Sequence, residues 1–293
     1  MKIRSNLKIK IFILFLTVCV FASLVYKQST LKADNGEVVI DLDFIAAALQ
    51  DQEAQFENPF VVNYVYSSTS GRKPLIVKYI KTPTIQYLEQ TDGVISQKCS
   101  YDSLKKEYKE LSASKLHSKL AGLITNSLVG PLGSNLVMDP IRYNFAGGNL
   151  LDNIKKGLLS SNKVLVDGVY CWKITIPSKR EDIIDFVVLL DPLIGFCPRV
   201  IEENYNTHEK AYVKFEDYKE LKSGVWFPMK IAKHFYINAQ EITGVKGFTA
   251  LDMEYNVSSI SYDKVISSSQ YEIAFPSGTE VLDEIDNTTY TVK

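Results

Sequence analysis

Apolar positions along this chain recur with two periods, and the change from one to the other marks its first structural boundary. Between Asp41 and Phe56 the spacing is helical: Phe44, Ile45, Ala48, Leu49 and Phe56 share a face with Gln52. Asp41 stands at the N-cap position and Pro59 supplies the stop. From Phe60 the period drops to two. Phe60–Tyr66, Leu75–Lys81, Thr84–Gln90 and Val94–Tyr101 read as strands, with Thr91-Asp92-Gly93 as a hairpin turn. Leu104–Leu111 fits strand or helix.

Residues 112–161 break the alternation with five glycines before residue 149 and prolines at 131 and 140. Asp139-Pro140 opens one helical piece, with proline at its favoured first position, and Leu150–Leu159 makes another. This region reads as a helical insertion laid over a sheet. Strands return as Val164–Val166, Val169–Ile176, Ile183–Leu190, Arg199–Tyr205, Ala211–Leu221 and Val225–Tyr236. Asp167-Gly168 and Ser223-Gly224 mark hairpin turns. Phe248–Val257, Ser259–Val265 and a last strand at Tyr271–Phe275 follow, before a polar tail containing Thr288–Val292. Helix, strands, helical patch and meander in this order predict one antiparallel sheet with helices on one face.

The N-terminus has a different character. Lys2, Arg4, Lys8 and Lys10 precede an uncharged run from Ile11 to Val25. Those residues would reach about 22 Å as a helix, against a hydrocarbon core of roughly 30 Å. Residues 1–25 therefore read as a signal peptide, cleaved after Ala22, or as an uncleaved N-terminal membrane anchor. Cys19 lacks the small residue before it that lipidation wants, because Val18 stands there. Residues 26–40 form a linker and residues 41–293 a single domain. The chain is expected to be exported to the periplasm or cell envelope.

Composition narrows the function. Hydrophobic residues make up 46% of the chain and charged residues 23%, enough for a sizeable core. The formal charge is −1, and it becomes −5 without residues 1–22, which carry four cations and no anion. A mildly acidic domain does not point to nucleic acid. Beyond Cys19 the cysteines are Cys99, Cys171 and Cys197. Cys171–Cys197 is the pair best spaced for a disulfide, unless the strands place them two apart. No Cys/His spacing suggests a metal, and no nucleotide, hydrolase or metalloprotease motif occurs. His117, His208 and His234 fall in three separate regions. The reading is of a non-enzymatic protein with no cofactor.

The aromatic alternation says more. Tyr64 and Tyr66 share one face of a strand, and so do Tyr170 and Trp172; Phe186 and Val188; Val213 and Phe215; and Phe227, Met229 and Ile231. These residues either form the core beneath the helices or line an apolar trough in which an acyl chain binds.

A family resemblance rests on three runs: Asp167-Gly168-Val-Tyr-Cys-Trp172, Leu190-Asp191-Pro192 through Gly195 to Pro198-Arg199, and Phe215-Glu-Asp217-Tyr218 through Gly224 to Trp226-Phe-Pro228. Together with the closing Phe275-Pro276-Ser-Gly278-Thr279 run, these resemble exported bacterial proteins of the outer-membrane lipoprotein-sorting (LolA/LolB-like) family. The resemblance implies a mainly β (α+β) fold: an open, curved antiparallel half-barrel, with an N-terminal helix and the 112–161 insertion covering its concave face. It also implies an apolar cavity for an acyl chain, lipid or lipoprotein anchor, with helices at 41–56 and 137–159 as lids. The alternative it carries is a periplasmic sensor or protein-interaction module, without ligand, that works on an envelope membrane protein. The 112–161 region is longer than such carriers have, and a retained anchor would stop free shuttling between membranes.

Overall fold

The computed structural model describes residues 40–115, 119–126, 132, 140–141, 143–207, 209–222, 224–238 and 248–293. The N-terminal basic and apolar segment, His117, His208 and the proposed helical start at Asp139 lie outside these residues. The described residues up to Phe44 belong to one unit of the chain, and those from Ile45 to Lys293 to a second. Among the described residues no helix is long and apolar enough to cross a membrane.

Helix α1 (Leu42–Gln55) forms where the helical period predicts it. The Asp41 carboxylate accepts the Phe44 N–H at 2.8 Å, which satisfies one of the free donors of the first turn. It buries Ile45, Ala46, Leu49 and Gln52.

The rest is one sheet. Six strands run as a meander: β1 (Phe60–Ser68), β2 (Leu75–Lys81), β3 (Ile85–Thr91), β4 (Ile95–Asp102), β5 (Glu107–Ser114) and β6 (Lys119–Thr125). After a five-residue helix α2 (Leu150–Ile154), seven more follow: β7 (Leu158–Val166), β8 (Val169–Pro177), β9 (Ile183–Asp191), β10 (Cys197–Tyr205), β11 (Lys210–Lys222), β12 (Val225–Asn238) and β13 (Phe248–Tyr262). A closing hairpin comprises β14 (Glu280–Asp283) and β15 (Thr288–Thr291). The order across the sheet is β15-β14-β6-β5-β4-β3-β2-β1-β13-β12-β11-β10-β9-β8-β7. The two meanders thus meet in the middle through β1 and β13, and β15 and β7 stay unpaired at the edges, so the sheet is an open half-barrel. Every pairing is antiparallel except β14 with β6.

The order explains the long connections. The chain leaves β6 near one edge and resumes at β7 on the other. Residues 263–279 cross back from the central β13 to β14, beside β6. Tyr143 and Phe145, shortly before β7, cover part of the inner face. The return covers the outer face, where Ile273 packs with Ile80 and Tyr87, joined by Val61, Leu111 and Phe275.

Several turns follow the sequence directly. Asp167 and Gly168 have φ of 47° and 84°, the left-handed pair that a two-residue hairpin requires. Asp191 caps a short 3-10 turn at Pro192–Ile194, accepting the Leu193 N–H at 2.8 Å. Gly195 then takes φ 66°, and a Cβ there would lie 2.7 Å from Gln52 Nε2.

Four expectations are corrected. Strands β6 and β7 occupy residues inside the supposed helical insertion, in which Leu150–Ile154 is helical. That helix is capped reciprocally by Asn149 and Asp152 and ends before Gly157, where a Cβ would strike Ile174. Phe248–Tyr262 is one strand rather than two, because a bulge opposite Asn63 and Tyr64 absorbs the irregularity within the ladder. Tyr271–Phe275 is not a strand; its apolar residues pack flat against the outer face and the pairing passes to β14. Cys171 and Cys197 are free. They sit on β8 and β10 with β9 between, about two strand spacings apart and beyond disulfide reach.

Candidate functional site

Register places all eleven proposed trough residues on the inner face. Ile174 and Ile176 pair with Val188 and Phe186, and Trp172 with Leu190, so Tyr170 and Trp172 share their side. Val188 continues to Ile201 and Val213, and Phe215 continues through Ile231 and Tyr255 to Tyr66. Antiparallel partners point to the same side, and alternation carries Tyr64, Phe227 and Met229 with them.

Sharing a face does not mean sharing an environment. Tyr64, Phe186, Val188, Val213, Phe215, Phe227 and Ile231 are buried, whereas Tyr66, Trp172 and Met229 are half-buried. Tyr170 is 62% exposed and stands outside the trough, near the β7–β8 turn. The buried members are covered by two pieces of chain. Phe56, just after α1, lies 6.1 Å from Phe227 and 6.2 Å from Phe60, ring centre to ring centre. Gln52 donates to the Gly224 carbonyl, and Lys81 Nζ donates to the Phe56 carbonyl at 3.0 Å. Over the far half, Phe145 meets Phe186 at 5.7 Å and Tyr143 meets Phe215 edge-on at 6.2 Å. Asn153 is buried and its amide donates to the carbonyls of Phe145 (2.7 Å) and Gly148 (3.1 Å), which holds that cover in shape.

A cavity of about 180 Å³ is lined by Tyr143, Ile201, Glu203, Val213, Lys233 and Phe235, among others. Lys233 Nζ lies 4.9 Å from the Phe235 ring centre and 5.6 Å from that of Tyr143. Burial lowers its pKa below the ordinary lysine value, against the opposing pull of Glu203. Larger cavities are rich in polar and charged residues. One of about 470 Å³ sits between β3–β5 and residues 268–273, and one of about 410 Å³ is lined by Ser68, Thr69, Lys233, Asp252 and Met253, among others.

The inner face changes character in the first meander. Glu110 accepts from Tyr108 Oη (2.7 Å), Gln97 Nε2 (2.7 Å) and Ser112 Oγ (2.9 Å), and Gln90 donates to Gln97 at 2.6 Å. Burial raises the Tyr108 hydroxyl pKa strongly and pushes the Cys99 thiol up to about 12. The apolar trough therefore runs over β8–β13, β1 and the β2 end, and gives way to a polar ladder.

Among the described residues no group of three His, Cys, Asp or Glu is placed to hold a metal. His234 lies on β12, where its Nδ1 meets Asp252 Oδ1 at 2.6 Å and its ring stacks on Tyr212 at 5.3 Å. The sequence reading passed over Lys233, Glu203 and Tyr143. Lys233 was legible as the one charge in the inward series Phe227, Met229, Ile231, Lys233, Phe235. Tyr143 was not, because nothing local ties it to β11.

No family model and no curated protein matches the chain. Among solved structures it is similar to a putative outer membrane lipoprotein-sorting protein domain from Vibrio parahaemolyticus, with 10% identity and a TM-score of 0.40 over 79% of this chain and 97% of that one. It is also similar to a DUF1329 family protein from Desulfovibrio piger, with 11% identity and a TM-score of 0.45 over 80% and 98%. A third similar structure is the Pseudomonas aeruginosa MucA/MucB complex, with 9% identity and a TM-score of 0.27 over 75% and 99%.

Proposed function

We propose that this chain is a non-enzymatic binding protein of the cell envelope that holds an acyl chain, from a lipid or a lipoprotein anchor, on the inner face of β8–β13. The observation that carries this reading is the kind of cover the apolar wall receives. Tyr143 and Phe145 belong to a looped segment, not to a second sheet, and that segment leaves a cavity beside Val213 and Phe235. A ligand chain larger than the cavity enters by displacing Tyr143 and Phe145 while the sheet keeps its ladder. Trp172, Tyr66 and Met229, half-buried at the margins, would line the way in.

A second reading has its own support. Around Phe56, Phe60 and Phe227 the inner face is filled without a gap, as expected of an interaction module that binds a membrane-protein partner and no lipid. Native mass spectrometry of the chain purified from a bacterial envelope without detergent separates the two. A co-purifying mass that extracts as lipid supports the acyl-binding protein. A clean chain mass with no uptake of added fatty acid or lipopeptide supports the module.

A further inference from the structure

The inner face of β12 runs Phe227, Met229, Ile231, Lys233, Phe235, and Lys233 breaks an otherwise apolar series. Its cross-strand neighbours are Val213 and Met253, both apolar. Among the described residues its ammonium makes no ion pair; its contacts are the faces of Tyr143 and Phe235. The acidic residue lining the same cavity is Glu203, two strands away on β10 and two residues further along the ladder, since it pairs with Ala211 while Lys233 pairs with Val213. Glu203 accepts the Tyr205 hydroxyl at 3.1 Å, and Asp252 and Glu254, which line a second cavity with Lys233, meet His234 and Lys230 instead. A cation held against aromatic rings without a counter-ion loses much of its hydration and is left with charge to satisfy. The cavity beside it has about 180 Å³, room for roughly six water-sized groups. That volume suits a carboxylate or phosphate and the first carbons of a chain, not a whole lipid.

We propose that Lys233 is the head-group residue of the trough, and that the ligand is an amphiphile with one anionic group, a carboxylate or phosphate, on an apolar chain. This rests on the acyl-binding reading above. The anion would sit at Nζ beside Phe235, with the chain leaving along Val213 and Phe215 in place of the Tyr143–Phe145 cover. Glu203 across the cavity disfavours head groups carrying several negative charges.

The test is calorimetric titration of the full chain and of Lys233→Met and Lys233→Arg with dodecanoate, dodecanol, dodecyl phosphate and inorganic phosphate. The parent chain should bind dodecanoate about tenfold or more tighter than dodecanol, the scale of one charge-assisted contact. Lys233→Met should lose that preference while binding dodecanol as before, and Lys233→Arg should keep it. Thermal unfolding of Lys233→Met at or above the parent temperature establishes that the variant is folded. Equal binding of acid and alcohol by the parent, or an unchanged preference in Lys233→Met, overturns the assignment of Lys233 and leaves the acyl-binding reading standing. If neither chain compound binds, that reading fails and this one with it. Competition by inorganic phosphate as effective as by dodecyl phosphate would make the site one for a small anion and overturn the amphiphile.

Discussion

Asp191 and Arg199 clasp the turn between β9 and β10: the buried carboxylate takes both Arg199 Nε (3.0 Å) and Nη2 (2.8 Å) on one oxygen. Its other oxygen accepts the Leu193 N–H, so one side chain fixes the 3-10 turn and the start of β10 together. Arg199 also lies over the Tyr218 ring at 5.3 Å, and Tyr218 donates its hydroxyl to the Pro198 carbonyl. The Asp-Pro…Gly…Pro-Arg and Asp-Tyr runs that carry the family resemblance are therefore one cluster in space, and a structural one. Replacing Arg199 with Met leaves a buried carboxylate without its counter-ion. The expected loss is about 3 kcal/mol, read as a lowered midpoint in urea with little change in slope. An unchanged midpoint would mean that the clasp contributes nothing net.

The three cysteines of the sheet should behave as inert core residues. Burial pushes the Cys171 thiol up to about 11 and the Cys99 thiol to about 12, so at mildly alkaline pH both remain protonated and poor nucleophiles. Iodoacetamide should leave Cys99, Cys171 and Cys197 unlabelled in the native chain and label all three in denaturant, as mapped by peptide mass spectrometry. A Cys171–Cys197 cross-linked peptide without reductant would contradict the strand order.

Lys233 should lower stability at neutral pH. Its folded pKa lies below the unfolded lysine value of 10.5, so the unfolded chain binds its proton more tightly. Its contribution is therefore unfavourable while the side chain is charged, and it recovers as the pH rises through the lowered value towards 10.5. Lys233→Met should then stabilise the domain by about 1 kcal/mol near neutrality, with the gain shrinking at alkaline pH. Denaturant melts at a series of pH values check this, and a variant less stable than the parent at neutral pH would contradict the sign.

The return segment on the outer face depends on Gly122. A Cβ there would come 2.8 Å from the Phe275 ring and 3.0 Å from Val281 Cγ2. Gly122→Val should push Phe275 off Gly122 and loosen β14 from β6, costing about 1–3 kcal/mol. Limited proteolysis should then cut within residues 263–279 sooner than in the parent chain. Identical digestion would show that the segment is held by other contacts.

Local chemistry was enough to specify the elements and many of their turns. Asp41, Asp167-Gly168 and Asp191 through Gly195 act through backbone dihedrals and capping bonds that span a few residues, so they are legible one window at a time. Alternation likewise assigned Trp172, Phe186, Phe215 and Phe227 to a common side, because a strand's period is local. It could not say which of them would be covered: Tyr170 and Phe227 follow the same rule, yet one is exposed and the other fully buried. That difference is set by where α1 and the Tyr143–Phe145 segment land, across contacts separated by up to about half the chain. The strand order was equally hidden. Pairing β1 with β13 and β14 with β6 joins residues far apart in sequence, and an alternating strand carries no mark of which partner will supply its hydrogen bonds. Sequence by itself determined a mainly β chain with one apolar face. Tertiary structure alone decided that this face is mostly filled, that a cavity lies beside Lys233, and that the Lys233 ammonium rests against Tyr143, because the residues that meet there come from separate strands and from the segment before β7.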